Sequence, residues 1–277
     1  MIVFPNAKIN LGLNIIERRP DGYHNLETIF YPVPLKDAIE VNEMHQLFPS
    51  DVRCDIKVSN ATINGNEQDN LVILAYKELS KYYNLPRIHV HLFKGIPSQA
   101  GLGGGSSDCA YMLNLLNQMF KLNIHKNEML KIASNLGADC PFFIDSIPAY
   151  GQGIGEILTP IDISLKGWYI TIIHPNIPVS TKEAFSHITP RKPIKSCIDI
   201  IKQPIETWKD ELVNDFETSV FIKHPELLNI KNKLYELGAT YASMSGSGSS
   251  LFAISRLPIL YNNDEFKGMT TFTALLE

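Results

Sequence analysis

Gly95–Asp108 reads GIPSQAGLGGGSSD, with five glycines and three serines in fourteen positions. Glycine loses more conformational freedom on folding than any other residue, so such a cluster persists where the chain turns tightly or where something must approach its amides. Upstream, RIHVHLFK reads as a strand closed by Gly95 and Pro97. Downstream, Cys109–Phe120 (CAYMLNLLNQMF) carries apolar residues at helical spacing with no breaker. Strand, glycine turn and helix start together present unpaired N–H groups and the positive end of a helix dipole, with the hydroxyls of Ser106 and Ser107 beside them, which suits an anion. Two phosphate loops are excluded. A Walker A loop needs a lysine after Gly105, where Ser106 stands, and the dinucleotide fingerprint fails because Ser106 occupies the position of its last glycine. On the loop alone, a flexible Gly/Ser connector stays open as the other reading.

The whole chain of 277 residues, 44% hydrophobic and 19% charged, has the composition of a globular protein with room for one large or two ordinary domains. A formal charge of -4 argues against nucleic acid as a partner. MIVFPNAKIN has too short an apolar run for a signal peptide, and no stretch approaches ~18 uninterrupted apolar residues, so no membrane partner and a cytoplasmic location are expected. Cys54, Cys109, Cys140 and Cys197 show no metal spacing and read as four free thiols.

In AKINLGLNI the apolar residues alternate with Lys8, Asn10, Gly12 and Asn14, the period of a half-buried strand with Lys8 and Asn10 on one face. RPDG is a turn and ETIFYPV a second strand. KNEMLKIASNL reads as a helix capped at Gly137, and ADCPFFI as a turn into a short apolar strand. GWYITIIHP is a strand, two helices part near Pro225, and ATYASMSGSGSSLFAIS is strand, small-residue turn and strand. Elements mix without regular βαβ alternation, so the class is α+β. The expected division, between Gly151 and Gly167, gives domains 1–155 and 156–277.

IPSQAGLGGGSSDCA resembles the second motif of the GHMP small-molecule kinases. AKINLGLNI with RPDGYHNLETIF resembles the first motif of one branch, and GADCPFFI and MSGSGSSLFAI its remaining signatures. The resemblance implies a two-domain GHMP kinase fold: an N-terminal ATP-binding domain with a left-handed βαβ unit, a C-terminal ferredoxin-like domain, and an active site in the cleft between them. It implies ATP and Mg²⁺, and phosphorylation of a hydroxyl on a small molecule carrying a cytidine diphosphate moiety, in isoprenoid precursor biosynthesis. Lys8 and Asp139 align with the family's catalytic pair, Asp139 as general base and Lys8 keeping it ionised. Nucleotide phosphate contacts carry over to Pro97, Ser98, Gln99, Ala100, Gly101, Leu102, Gly103, Gly104, Gly105, Ser106 and Ser107, and Asn70 falls near the adenine. No acidic residue is placed as a metal ligand; Ser106 is one candidate. For the substrate, Asn10 and His24 are implied as hydrogen-bond partners, Tyr23 as stacking on Phe185, and Thr181 as a neighbour. Gly246 and Gly248 in MSGSGSS would let that turn approach the glycine loop.

Each reading has a plainer rival in the residues themselves. Lys8 is otherwise a surface lysine on an edge strand, Asp139 a turn former, Asn70 a helix cap, and Asp21-Gly22 a turn flanked by Tyr23 and His24. GQGIGE at Gly151 carries no assigned chemistry, and the tail after Pro258 matches no motif. The competing functions are a GHMP kinase for homoserine, mevalonate or a sugar, which has no base to stack, and a non-catalytic nucleotide-binding protein. A monomer or weak homodimer is expected.

Overall fold

The structure, a computed structural model, describes residues 1–61, 66–262 and 264–277. In chain order the strands are β1 (Ile2–Val3), β2 (Asn6–Arg18), β3 (His24–Lys36), β4 (Ala38–Glu43), β5 (Cys54–Ser59), β6 (Ile88–Phe93), β7 (Ala149–Gln152), β8 (Ile157–Pro160), β9 (Tyr169–His174), β10 (Tyr241–Met244), β11 (Leu251–Ser255) and β12 (Thr270–Leu275). The helices are α1 (Leu71–Ser80), α2 (Gly104–Met119), α3 (Lys126–Leu136), α4 (Phe142–Asp145), α5 (Thr181–Ala184), α6 (Cys197–Ile200), α7 (Trp208–Glu211), α8 (Phe216–Lys223) and α9 (Pro225–Glu236).

The chain divides into two compact units, and the division is not at residue 155. Residues 1–7, 35–98 and 103–146 form the first; residues 8–34, 99–102 and 147–277 form the second. The expected boundary missed the first hairpin because a strand pair far away in sequence carries its contacts to partners that linear composition does not reveal.

In the first unit a four-stranded sheet has the order β1-β4-β6-β5. β5 and β6 pair in parallel and are joined through α1, a βαβ unit. The core of this unit packs Ile39, Val41, Ile56, Val90 and Leu92 from the sheet against Val72, Tyr76 and Leu79 of α1, Met112, Leu113 and Leu116 of α2, and Ile132 and Ala133 of α3. Asn70 caps α1, its side chain accepting from Val72 N at 2.9 Å. The segment read as a strand in ADCPFFI is instead α4. Pro141, at φ -57 and ψ -35, is already helical at its start, so the proline opens a helical turn.

In the second unit one sheet has the order β2-β3-β7-β8 and the other β10-β11-β9-β12. The second sheet's pairings are all antiparallel. Counted in chain order, its strands run 2-3-1-4, the order of a ferredoxin-like βαββαβ unit, though no helix stands between β11 and β12 among the described residues. Leu13, Ile15, Ile173, Val220, Leu227, Leu234, Met244 and Ala253 contribute to the core. The tail with no sequence motif supplies β12, an edge strand on β9. β2 is not half-buried: its first ten residues are all buried, polar and apolar alike. Lys8 and Asn10, 3% and 2% exposed, therefore form a buried polar line rather than a wet face.

No helix among the described residues is long and apolar enough to cross a membrane. All four cysteines are free and buried.

Candidate active site

In the first unit the glycine loop feeds α2 as its composition predicts. Gly103 is the N-cap at φ 72 and ψ 16 and, having no side chain, makes no side-chain cap to the opening amides of α2. Gly105 is exposed and Ser106 half-buried. The Ser107 hydroxyl is buried without a hydrogen-bond partner among the described residues, which leaves its capacity for a polar contact unused. A Cβ on Gly105 would sit 3.6 Å from Leu71 Cδ1, which brings the start of α1, and Asn70 with it, beside the start of α2.

Beneath the loop lies a group that the sequence reading missed. Lys94, 7% exposed, forms ion pairs with Asp37 and with Asp108, the latter at 2.6 Å. The other oxygen of Asp37 accepts from the backbone N–H groups of Gly95 and Ile96, each at 2.7 Å. This cluster ties the end of β6, the start of the loop and the first turns of α2 together. Burial alone lowers the Lys94 pKa, but the charges of Asp108 and Asp37 outweigh it and leave it raised. Burial raises the Asp108 carboxyl well above its ordinary range, with the charge of Lys94 pulling the other way and that of Asp37 adding to the rise. The signal in the sequence was Asp108 at the end of GGGSSD and Lys94 just before Gly95, but nothing local ties either to Asp37.

Asp139 sits in the turn between α3 and α4, where Cys140 N donates to Gly137 O at 3.1 Å. It is half-buried.

Residues 99–102 of the loop belong to the second unit, and there they are held on two sides. Lys8 N donates to Leu102 O at 3.0 Å, and Ser250 N donates to Ala100 O at 3.2 Å. Ser245 Oγ donates to Gly101 O at 2.8 Å. Gly101 has φ +75, and a Cβ there would stand 2.0 Å from Ser245 O, so only glycine fits. The MSGSGSS turn thus approaches the glycine loop as its small residues suggest. Asn214, 2% exposed, holds that turn by donating to Met244 O and Gly246 O, both at 2.8 Å.

Lys8 Nζ donates to Asn10 Oδ1 at 2.6 Å and lies 5.2 Å from the centroid of the Phe30 ring, a cation–π distance. Gly151 of β7, in the stretch without assigned chemistry, makes room for that ring: a Cβ there would stand 2.6 Å from Phe30 Cε2. β2 and β3 join through the Arg19–Tyr23 turn, closed where Arg19 N donates to Tyr23 O at 2.8 Å. The hairpin sets β3, from His24 onward, alongside the strand that carries Asn10.

The ring on Phe185 is His24, not Tyr23. Their centroids are 4.6 Å apart with 18° between the planes, and Phe216 supports Phe185 edge-on at 4.8 Å. Tyr23, at the turn, is 60% exposed. The alternation of a strand explains the exchange: β3 begins at His24, whose side chain takes the face toward Phe185, whereas Tyr23 still belongs to the turn. Burial, and secondarily the charge of Arg18, lowers the His24 pKa from its ordinary 6.5, so the imidazole is neutral near pH 7 and offers one donor and one acceptor. Thr181 is exposed at the start of α5, directly before the Phe185 turn.

Among the described residues no group of three or more His, Cys, Asp or Glu side chains is placed to hold a metal ion. The hydroxyls of Ser106 and of the unpartnered Ser107 suit an ion carried in by phosphates, since Mg²⁺ characteristically keeps few protein ligands.

An open helix start after a glycine loop in the first unit, and a buried lysine and a His24–Phe185 ring stack in the second, are each features that a nucleotide-using small-molecule kinase would employ. The model of the GHMP kinases N terminal domain matches residues 70–146 and that of the GHMP kinases C terminal domain residues 198–259, and the chain belongs to the GHMP kinase family. Within it, the chain is 53% identical over 254 residues, 92% of each protein, to the 4-diphosphocytidyl-2-C-methyl-D-erythritol kinase of Bacteroides thetaiotaomicron. A crystal structure of 4-(cytidine 5'-diphospho)-2C-methyl-D-erythritol kinase is similar with a TM-score of 0.80 at 27% identity, covering 99% of this chain and 98% of that one. The mevalonate kinase of Methanococcus jannaschii, with a TM-score of 0.68 at 14% identity over 100% of this chain and 98% of that one, shares the fold.

Proposed function

We propose that this protein transfers the γ-phosphoryl group of ATP to the 2-hydroxyl of 4-diphosphocytidyl-2-C-methyl-D-erythritol, a step of non-mevalonate isoprenoid precursor synthesis. The observation that carries the choice of substrate is the His24–Phe185 stack on the strand that also supports Asn10. Thr28, the partner of Asn10, lies four residues after His24 on β3, about 13 Å away at ~3.3 Å per residue. That spacing suits a molecule whose reacting alcohol and cytosine lie at opposite ends of a diphosphate. Homoserine and mevalonate have no base to place on the stack. The relatives at about half identity carry the same substrate in their names.

Phosphoryl transfer asks little covalent chemistry of the protein and much positioning. The opening amides of α2 and the loop from Pro97 to Ser107 are assigned to the phosphates, and Asn70 to the vicinity of the adenine through the face its capping oxygen leaves free. Mg²⁺ arrives with ATP and would supply charge neutralisation of the transferring group, with the Ser106 and Ser107 hydroxyls as its protein partners. Asp139 takes the proton of the 2-hydroxyl, and Lys8 stabilises the charge at the same reacting centre. Neutral His24 offers the cytosine edge one donor and one acceptor. The reducing cytoplasm, where the four buried thiols stay free, is the assigned compartment.

The test is ADP release with Mg-ATP and, in parallel, the cytidyl substrate, methylerythritol phosphate, homoserine and mevalonate. Turnover with the cytidyl compound alone supports the proposal; turnover with another alcohol retains the kinase and discards the base-reading site. In the same assay His24→Ala raises the KM for the cytidyl substrate ~10-fold with kcat within about twofold, because it removes contact made equally in ground and transition states. An unchanged KM would remove His24 from the substrate site.

A further inference from the structure

Resting on the reading of Lys8 as part of the phosphoryl-transfer centre, we propose that Thr28 is a positioning residue: its hydroxyl fixes which way the Asn10 amide points, and through it where the Lys8 ammonium sits. Three hydrogen bonds in line fix where each proton lies. Lys8 Nζ donates to Asn10 Oδ1 at 2.6 Å, Asn10 Nδ2 donates to Thr28 Oγ1 at 3.0 Å, and Thr28 Oγ1 donates to Gly12 O at 2.5 Å.

A threonine hydroxyl has one proton, and a backbone carbonyl can only accept. The proton of Thr28 is therefore committed to Gly12 O, and toward Asn10 the hydroxyl is an acceptor. Asn10 must present its NH₂ to Thr28, which turns its carbonyl oxygen toward Lys8. An ammonium group only donates, so the other end of the line makes the same demand independently. Reversing the amide would set NH₂ against the ammonium and oxygen against an oxygen, two repulsive contacts at once.

The line begins with an irregularity in β2. Gly12 has φ +69, and a Cβ there would lie 2.7 Å from Leu212 Cδ1. The left-handed residue interrupts the regular strand and leaves its carbonyl available to a side chain of β3. Thr28 is fully buried and Lys8 and Asn10 nearly so, at 0%, 3% and 2% exposure, so bulk water does not replace a lost member. In such a setting the orientation of one amide decides where a charged group sits. Thr28 falls within the RPDGYHNLETIF run, but the resemblance assigns it no role; its part is set by the pairing of the two strands.

The experiment compares Thr28→Val, which keeps the shape and removes the hydroxyl, with Thr28→Ser, which keeps the hydroxyl. Thr28→Val lowers kcat ~10-fold with the KM for ATP within about twofold, and Thr28→Ser retains the wild-type kcat within about twofold. In an Asn10→Ala background Thr28→Val costs less than a further twofold, because a residue acting through Asn10 has nothing left to act on. Additive losses, equal losses in the valine and serine variants, or no loss in the valine variant would each overturn the proposal. Exchange of the Asn10 side-chain amide protons, followed by NMR, gives a readout independent of turnover. It is slow in the wild type and in Thr28→Ser and at least ~10-fold faster in Thr28→Val, or in Thr28→Ala where the valine variant does not fold. Equal exchange in wild type and alanine variant overturns the proposal even where no alcohol is phosphorylated, an outcome that by itself sinks only the substrate reading.

Discussion

Asp139→Asn lowers kcat by 10² to 10⁴-fold while leaving ATP binding within about threefold, the range a positioned general base contributes. The substitution preserves shape, and the turn that holds residue 139 closes through backbone groups of Gly137 and Cys140, which the change leaves in place. On the proposed assignment, what is lost is an acceptor for the proton of the attacking hydroxyl. A loss near the lower bound would say that placement of the γ-phosphate under the loop amides carries most of the rate, as expected of a transfer with a loose transition state. Single-turnover phosphorylation with nucleotide binding measured separately distinguishes these cases. A rate close to wild type would remove Asp139 as the base.

Lys94→Met destabilises the protein by about 3–5 kcal/mol, the loss typical when one partner of a buried ion pair is removed. The methionine fills similar space, but two carboxylates remain in a site where Asp37 and Asp108 are 1% and 3% exposed. Asp37 keeps the N–H groups of Gly95 and Ile96, whereas the second oxygen of Asp108 already lacks a hydrogen-bond partner among the described residues. Asp108 therefore takes up a proton. Its folded-state pKa lies above the unfolded carboxylate value near 3.8, chiefly through burial, so the stability from that proton is full below the ordinary value and is lost as pH rises through the elevated one. Urea unfolding of the variant then gives a lower midpoint at about pH 8 than at about pH 5, a trend larger than in the wild type. A variant with unchanged stability at both would show the triad to be dispensable. Because the triad anchors the start of the glycine loop, KM for ATP should rise in parallel with the loss.

The mixed α and β class, the glycine loop feeding a helix, and the strand and turn of the AKIN and DGYH segments are legible in the sequence. Each rests on constraints that act within a few residues. Gly103 and Gly104 deny a side chain where a helix must start with open amides, the period-two pattern writes a strand, and Gly137 ends a helix. Misreadings arose where a local pattern is ambiguous. FFI after Pro141 suits a buried strand or a helical turn equally in composition, and the geometry of the proline decided. The alternation in AKINLGLNI was read as one wet face, but both faces of β2 are covered, so the polar residues pair with one another instead.

Composition and local pattern by themselves determined a glycine turn feeding an open helix start and, through resemblance, the kinase family and the kind of alcohol it phosphorylates. Only the tertiary structure decided that Lys94 and Asp108 meet Asp37, that His24 rather than Tyr23 stacks on Phe185, and that Gly151 makes room for the ring beside Lys8. The physical reason is the range of the interaction. A turn or helix start is specified by the backbone preferences of adjacent residues, whereas a buried charge or an amide orientation is specified by whichever distant donor the fold delivers to it, and Asn10 learns its direction from Thr28 only once β2 and β3 have paired.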